Sequence, residues 1–294
     1  MTLSRRQFAA AVAPLVVAPL LAARPAAKKL VLFAGKPSHP PGMHEHNAGV
    51  RLLAKCLAGF PGLETAVVLN GDWQAAALDG AAAVLVFADG GGGHPLAQAE
   101  RIGRMTQLSK TGVGLVCVHY ATEVPKGDFG DRFRDLLGGC YEHQWSCNPI
   151  WEPKFERFPD HPITRGVEPF TAKDEWYFNM RFRPDLAGVT PLLTAVPPAA
   201  TRDGPYVYPK GPYPHIQAAN GRPEHMMWCV DPADGGRGVG FTGGHFHANW
   251  GNADFRRVVL NALVWACKLE VPRGGVESSV SAEQLAANLD PKTK

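Results

Sequence analysis

Long hydrophobic runs, paired cysteines, a basic stripe and a nucleotide-binding glycine signature are all missing from this 294-residue chain, and each absence removes a class of function. The longest apolar stretch, Ala9 to Ala23, is broken by Pro14 and Pro19 and falls short of the roughly 20 residues that span a bilayer. The six cysteines, at 56, 117, 140, 147, 229 and 267, include no Cys-x-x-Cys, which excludes a disulfide scaffold and a structural zinc site. Cys140 and Cys147 flank a short loop, so one bridge between them stays open; most of the others read as small buried hydrophobes. No cluster of Lys and Arg with interleaved aromatics stands behind the formal charge of +3, and nucleic acid is not an expected partner. Gly90 to Gly93 belong to neither a Gly-x-Gly-x-x-Gly nor a Walker sequence, so no nucleotide cofactor is expected.

Ser4-Arg5-Arg6-Gln7-Phe8 precedes the alanine-rich stretch and Arg24-Pro25-Ala26-Ala27, a pattern similar to a twin-arginine export signal. It predicts the twin-arginine export machinery as a partner, a periplasmic or extracellular location, and a mature chain starting between Ala23 and Lys28. Residues 1–27 are thus the expected signal, 28–270 one elaborated domain, and 271–294 a polar tail with a short helix capped by Ser281. A hydrophobic content of 45% supplies a core of that size.

Periodicity predicts an α/β fold. Leu30 to Gly35, Glu64 to Leu69, Ala82 to Phe87 and Val113 to Val118 read as strands. Between them, Val50, Leu53, Ala54 and Leu57 mark one amphipathic helix, and Ile102, Met105 and Leu108 a second over Leu96 to Lys110. This βαβ series predicts a mainly parallel sheet with right-handed crossovers and flanking helices. From Cys140 to about Met227 the pattern becomes short extended pieces rich in Pro, Trp and Tyr, a β/loop-rich insertion in the second half. Met226 to Val230 and Gly238 to Thr242 resume the core, and a helix over Ala253 to Lys268 closes it.

Four apolar runs stop at histidines: Leu30–Gly35 before His39, His44 and His46; Val84–Asp89 before His94; Val113–Val118 at His119; and Gly238–Gly244 at His245 and His247. Ligands of open α/β sheets bind outside the carboxyl ends of the strands, which points these side chains to one pocket. His44, His119, His245 and His247 are the expected ligands of a divalent transition metal such as zinc. His46 suits the helix–sheet seam equally well. Asp89, directly after a buried strand, is a candidate catalytic or metal partner. Glu175, beside Asp174 and bulky aromatics, is the leading general base, with His119 as its acid–base partner. His39, Glu45, Tyr120, Trp145, Tyr177 and Trp250 are the expected substrate-binding residues, aromatic faces being able to stack on sugar rings.

Several motifs together carry a family resemblance: Ser38-His39-Pro40-Pro41-Gly42-Met43-His44-Glu45-His46, Val118-His119-Tyr120-Ala121, Gly138-Gly139-Cys140-Tyr141, His161-Pro162-Ile163-Thr164, Asp174-Glu175-Trp176-Tyr177, Gly243-Gly244-His245 and Val264-Trp265-Ala266. From about Lys29 to Leu269 the chain resembles ThuA-like, trehalose-utilisation proteins. The resemblance implies a flavodoxin-like sheet of the class I glutamine amidotransferase type, a carbohydrate substrate and a link to 3-keto-glycoside metabolism. Histidine stands where an amidotransferase would present its nucleophilic cysteine, so amidotransferase chemistry is not expected. The expected function is an exported carbohydrate-active enzyme that acts on a sugar or 3-keto-glycoside by metal- or His/Glu-assisted proton abstraction, leading to elimination, hydration or isomerisation. A non-catalytic periplasmic sugar-binding protein and a metal-dependent amide or ester hydrolase are the alternatives, and a homo-oligomer is compatible with each.

Overall fold

The computed structural model describes residues 26–292, so the expected export signal lies outside the described residues apart from Ala26 and Ala27. Seven strands form the central sheet: β1 (Lys28–Ala34), β2 (Leu63–Val68), β3 (Ala81–Phe87), β4 (Gly114–Val118), β5 (Val189–Ala195), β6 (Glu224–Val230) and β7 (Gly238–Phe241). Their order is β5-β6-β7-β4-β3-β1-β2. β2, β1, β3, β4 and β7 run parallel, and β6 pairs antiparallel with both β7 and β5. The β2-β1-β3-β4 segment is the flavodoxin-like order, in which the chain reverses direction across the sheet after β1 and opens a crevice at the strand ends.

Alternation along each strand divides the core in two. Leu30, Leu32, Leu85, Val116 and Val118 face α1 (His46–Cys56) and the long helix that follows β7, while Val31, Phe33, Val84, Val86, Leu115 and Cys117 face the other side. That other side is covered by α2 (Ala99–Lys110) and α3 (Asp128–Leu137). Burial on both faces is why these strands read as continuous apolar runs. The long helix, α4 (Ala253–Ala266), begins at Asn252, whose side chain accepts from the N–H groups of Asp254 and Phe255, and buries Phe255, Val258, Val259, Ala262, Leu263 and Ala266.

Three features depart from the sequence expectation. β5 is an edge strand whose pairing shifts register around Pro191, and a strand carrying proline and two threonines has no clean period of two. Helix α3 hides behind Gly130 and five charged residues in DFGDRFRDLL, although Phe133, Leu136 and Leu137 form its buried face. Helix α2 starts at Ala99 rather than Leu96, because the Leu96 N–H is bound by the His94 ring at 2.9 Å and the chain there is not helical.

The insertion consists of three two-residue strand pairs: Gly139–Cys140 with Arg181–Phe182, Ile150–Trp151 with Asp174–Glu175, and Lys154–Phe155 with Phe170–Thr171. Cys140 and Cys147 are not bridged: Cys140 pairs with Arg181, Cys147 pairs with Phe178, and both are free thiols. The tail is no loose end. Val271 and Val276 are buried, and α5 (Ala282–Ala286) starts with a capping box between Ser281 and Gln284. Beyond it, Asp290 and Lys292 return to the start of α1 and bind Glu45.

Trp250, expected at a sugar site, is instead fully buried between Phe87 and Phe255, with ring centroids 6.1 and 5.2 Å away. A tryptophan indole fills an apolar core as readily as it stacks on a sugar, and here the two phenyl rings take it. Trp250→Ala is expected to cost about 3–5 kcal/mol of stability through the cavity it leaves; urea unfolding checks this, and a loss under 1 kcal/mol on that scale would show the site to be collapsible or exposed.

Candidate active site

β4 ends at Val118, and His119 then takes a left-handed conformation (φ 57°) that turns the chain sharply out of the sheet. Because β4 and β7 pair with Val118 opposite Phe241, the next residue of β7, Thr242, lies beside His119. Its carbonyl accepts a hydrogen bond from His119 Nδ1 at 2.9 Å. The chain then passes Gly243 and Gly244, the latter at φ 112°, a conformation that side chains resist, and delivers His245. Asp174 holds this turn: it is fully buried and accepts from the N–H groups of Gly244, His245 and Glu175 at 2.7, 3.0 and 2.8 Å. Asp174 is therefore a buried anchor of the loop and not a solvated surface carboxylate.

The loop after β1 is zipped to the loop after β7. Met43 bridges Phe246, the His44 N–H donates to the His245 carbonyl at 3.0 Å, and the His247 N–H donates to the Gly42 carbonyl at 2.9 Å. These contacts set the His44 and His245 rings together. Asp89, at the end of β3, receives His44 Nδ1 at 2.8 Å and the Ser38 hydroxyl at 2.9 Å.

Four ligand-type atoms converge. His44 Nε2 lies 3.0 Å from His245 Nδ1 and 3.1 Å from His119 Nε2, and the latter two are 3.3 Å apart. Glu175 Oε2 lies 3.3 Å from His119 Nε2 and 3.0 Å from His245 Nδ1. Ligands at zinc-bond length around a tetrahedral ion stand about 3.3 Å apart, so the spacing fits that ion. The tautomers fit it too. A carbonyl and a carboxylate only accept, so His119 Nδ1 and His44 Nδ1 carry protons, and in the neutral rings both Nε2 lone pairs are bare. Two bare lone pairs 3.1 Å apart repel unless a cation, a proton or a metal ion, sits between them.

Electrostatics within the cluster follow from the same contacts. Burial opposes charge on Glu175, but hydrogen bonds and charge from His119 and His245 outweigh it and bring its pKa down to about 2. Burial likewise opposes charge on His119, yet the Glu175 hydrogen bond and charge overcome it and raise its pKa. His44, buried first and then repelled by His119 and His39, is held far below the usual imidazole range. Asn148 donates to the other Glu175 oxygen at 2.9 Å, and the Tyr177 hydroxyl lies 3.1 Å from His119 Nε2.

The cluster opens into a cavity of about 240 Å³ lined by His39, His44, Tyr120, Glu123, Tyr141, His143, Asn148, Glu175, Tyr177, Val207 and Tyr208. Of the residues singled out from sequence, the structure thus brings together His39, His44, His119, Tyr120, Glu175, Tyr177 and His245, with Asp89 behind His44. Others are placed elsewhere. His247 donates through Nε2 to the Leu285 carbonyl, away from the cluster, because the 3-10 turn over residues 247–251 breaks the extended backbone that would have put it beside His245. Glu45 turns back to accept from the Gly42 and Asp290 N–H groups and pairs with Lys292, so it braces the loop and does not face the cavity. Trp145 packs against the Arg181 guanidinium at 3.6 Å and stacks on His215, outside the cavity. His46 sits in the seam, its Nδ1 donating to the Lys36 carbonyl and its ring against Phe87. Cys117 faces the opposite core, where burial pushes its thiol up, so it offers no nucleophile.

Sequence reasoning missed Glu123, Tyr141, His143, Asn148 and Tyr208. All lie in or beside irregular segments; Tyr141 stood in the motif Gly138-Gly139-Cys140-Tyr141 and Asn148 in Trp145-Ser146-Cys147-Asn148-Pro149, without either being singled out for the site. Backbone strain was a further signal invisible in the sequence: His39, His44 and His119 all have positive φ, at 61°, 47° and 57°, each costing about 1–3 kcal/mol.

The family model for ThuA, trehalose utilisation, matches residues 32–266. The chain belongs to the ThuA family. Two solved structures described as ThuA-like share its fold. That from Bacteroides uniformis superposes with a TM-score of 0.59 at 15% identity, covering 85% of this chain and 95% of that one. That from Parabacteroides merdae gives 0.57 at 16%, covering 87% and 94%. A search of curated proteins finds no match.

His94 follows the glycine turn after β3 and is buried away from the cluster, donating to the Ala121 carbonyl and accepting the Leu96 N–H. Burial lowers its pKa to about 3. The folded state therefore resists a proton that the unfolded chain accepts below about pH 6.5, and stability falls by about 1.4 kcal/mol per pH unit from there toward pH 3. His94→Asn is expected to flatten that part of the stability profile in urea unfolding at pH 4–7; an unchanged slope would assign it to other groups.

Proposed function

We propose that this ThuA-family protein is an exported, metal-binding enzyme that removes a proton beside the carbonyl of a neutral sugar or 3-keto-glycoside, leading to elimination, hydration or isomerisation. The observation that carries the reading is the convergence of His44, His119, His245 and Glu175 at one end of a tyrosine-lined cavity. These four residues would hold the ion, a divalent transition metal such as zinc, which supplies Lewis acidity to a substrate oxygen when bound.

The rest of the cavity suits a polyol. Tyr120, Tyr141, Tyr177 and Tyr208 offer ring faces and hydroxyls, and Asn148 offers an amide. No lysine or arginine lines it, while Glu123 and Glu175 do, so a substrate bearing phosphate or carboxylate would meet repulsion. Tyr177, beside His119 and Glu175, is placed to donate to an oxygen on which negative charge develops. Asp89 and Thr242 hold the His44 and His119 rings in the tautomers that leave Nε2 free. The twin-arginine pattern at Arg5-Arg6 supports export of a chain already folded, which lets such a site fill before crossing.

Metal analysis of the protein isolated by its native route tests the site. About one equivalent is expected, lost in His44→Ala and in His245→Ala, with Asp89→Asn weakening metal affinity by about 10–100-fold. Equal metal content in wild type and both alanine variants would overturn the assignment. For the reaction, the metal-loaded protein is incubated with 3-keto-glycosides and their unoxidised parents and the products are separated. Sugar-dependent thermal stabilisation with no product from any of them would favour a binding protein.

A further inference from the structure

The proposed reaction needs a group to carry the proton, and the geometry leaves Glu175 poorly suited to it. One of its oxygens accepts from Asn148, and the other is held among His119, His245 and Tyr177. A base must have a lone pair free toward the substrate.

A second carboxylate lines the same cavity. Glu123 closes the 3-10 turn that begins at His119, and its backbone is fixed on both sides: its N–H donates to the Tyr120 carbonyl at 3.0 Å, and its carbonyl accepts from Gly91 at 3.1 Å. A parallel bridge to Tyr141 adds a third restraint. The side chain makes no ion pair or hydrogen bond with the described residues, and burial alone raises its pKa to about 7. The neighbouring phenols of Tyr120 and Tyr141 are themselves pushed up by burial and stay neutral, His39, His44 and His143 share the cavity, and no cationic side chain lines it. An unpaired carboxyl held rigidly in a polar cavity costs stability, and nothing in the packing of the fold uses it.

Resting on the reading of the site given above, we propose that Glu123 is the proton-transfer residue: its carboxylate takes the proton from the carbon beside the substrate carbonyl and returns it. In that step the C–H bond breaks, its electron pair forms the enolate double bond, the carbonyl oxygen takes the negative charge, and the proton bonds to a Glu123 oxygen. Glu175 then belongs to the histidine cluster, and the two acidic residues divide the work.

Deuterium exchange measures this step without requiring the physiological product. The metal-loaded protein is incubated in D2O with a 3-keto-glucoside, and label at the carbons flanking the ketone is followed by NMR. Wild type is expected to exchange, and Glu123→Gln to be slower by about 100-fold or more with metal content unchanged and melting temperature not lowered. Glu123→Ala should regain exchange when formate is added, which a residue with only a structural role would not allow. Exchange in Glu123→Gln within threefold of wild type, or Glu123→Ala unresponsive to formate, would overturn the assignment of Glu123 while leaving the proposed reaction standing. Absence of exchange in wild type would overturn the proposed reaction, and the assignment with it.

Discussion

Two hydrogen bonds from acceptors that cannot donate govern the site. Thr242 O and Asp89 Oδ1 each claim the Nδ1 proton of a histidine, and both rings are thereby obliged to present a bare Nε2 to the same point. The arrangement concentrates lone pairs and one carboxylate among side chains that are all buried. Such a cluster is stable only around positive charge. Most of the surrounding structure serves to keep those atoms from relaxing apart: Asp174 grips the β7 loop, the β1 loop is zipped to it, and Asn148 fixes Glu175 from the far side.

The sheet explains why the parts meet. β1, β4 and β7 are parallel, and β3 lies between β1 and β4, so their carboxyl ends reach one edge of the sheet together. The insertion, which precedes the edge strand β5, comes over the same edge and supplies Glu175, Tyr141 and Tyr177, while Tyr208 comes from the segment between β5 and β6. Regular structure provides direction, and the strained residues at the strand ends provide aim. His119 would follow the pleat of β4 if it kept an extended backbone; its positive φ is what swings the ring toward His44.

Much of this was legible in the sequence, for a physical reason. Strands buried on both faces are nearly pure Val, Leu and Ala, so their ends, and the histidines there, are sharply marked. The insertion lacks that contrast. Its strands are two residues long, and partners such as Asn148 and Glu175 are brought together by pairing across a gap that no local period encodes. His247 misled because spacing of two implies one face only in extended chain, and Trp145 and Trp250 because tryptophan serves cores and cation contacts as readily as sugars. His94 shows the limit of the strand-end argument: the glycine turn after β3 carries it seven residues past the strand, where a carbonyl and an N–H satisfy its ring.

The C-terminal strap ties the site to a segment remote from it in sequence. Lys292, nearly at the end of the sequence, pairs with Glu45 and donates to the carbonyls of Met43 and His44, bracing the loop that presents the first cluster histidine. The presentation of His44 thus depends on a residue 248 positions away along the chain, so a change in the tail can reach the cluster without touching any of its ligand atoms.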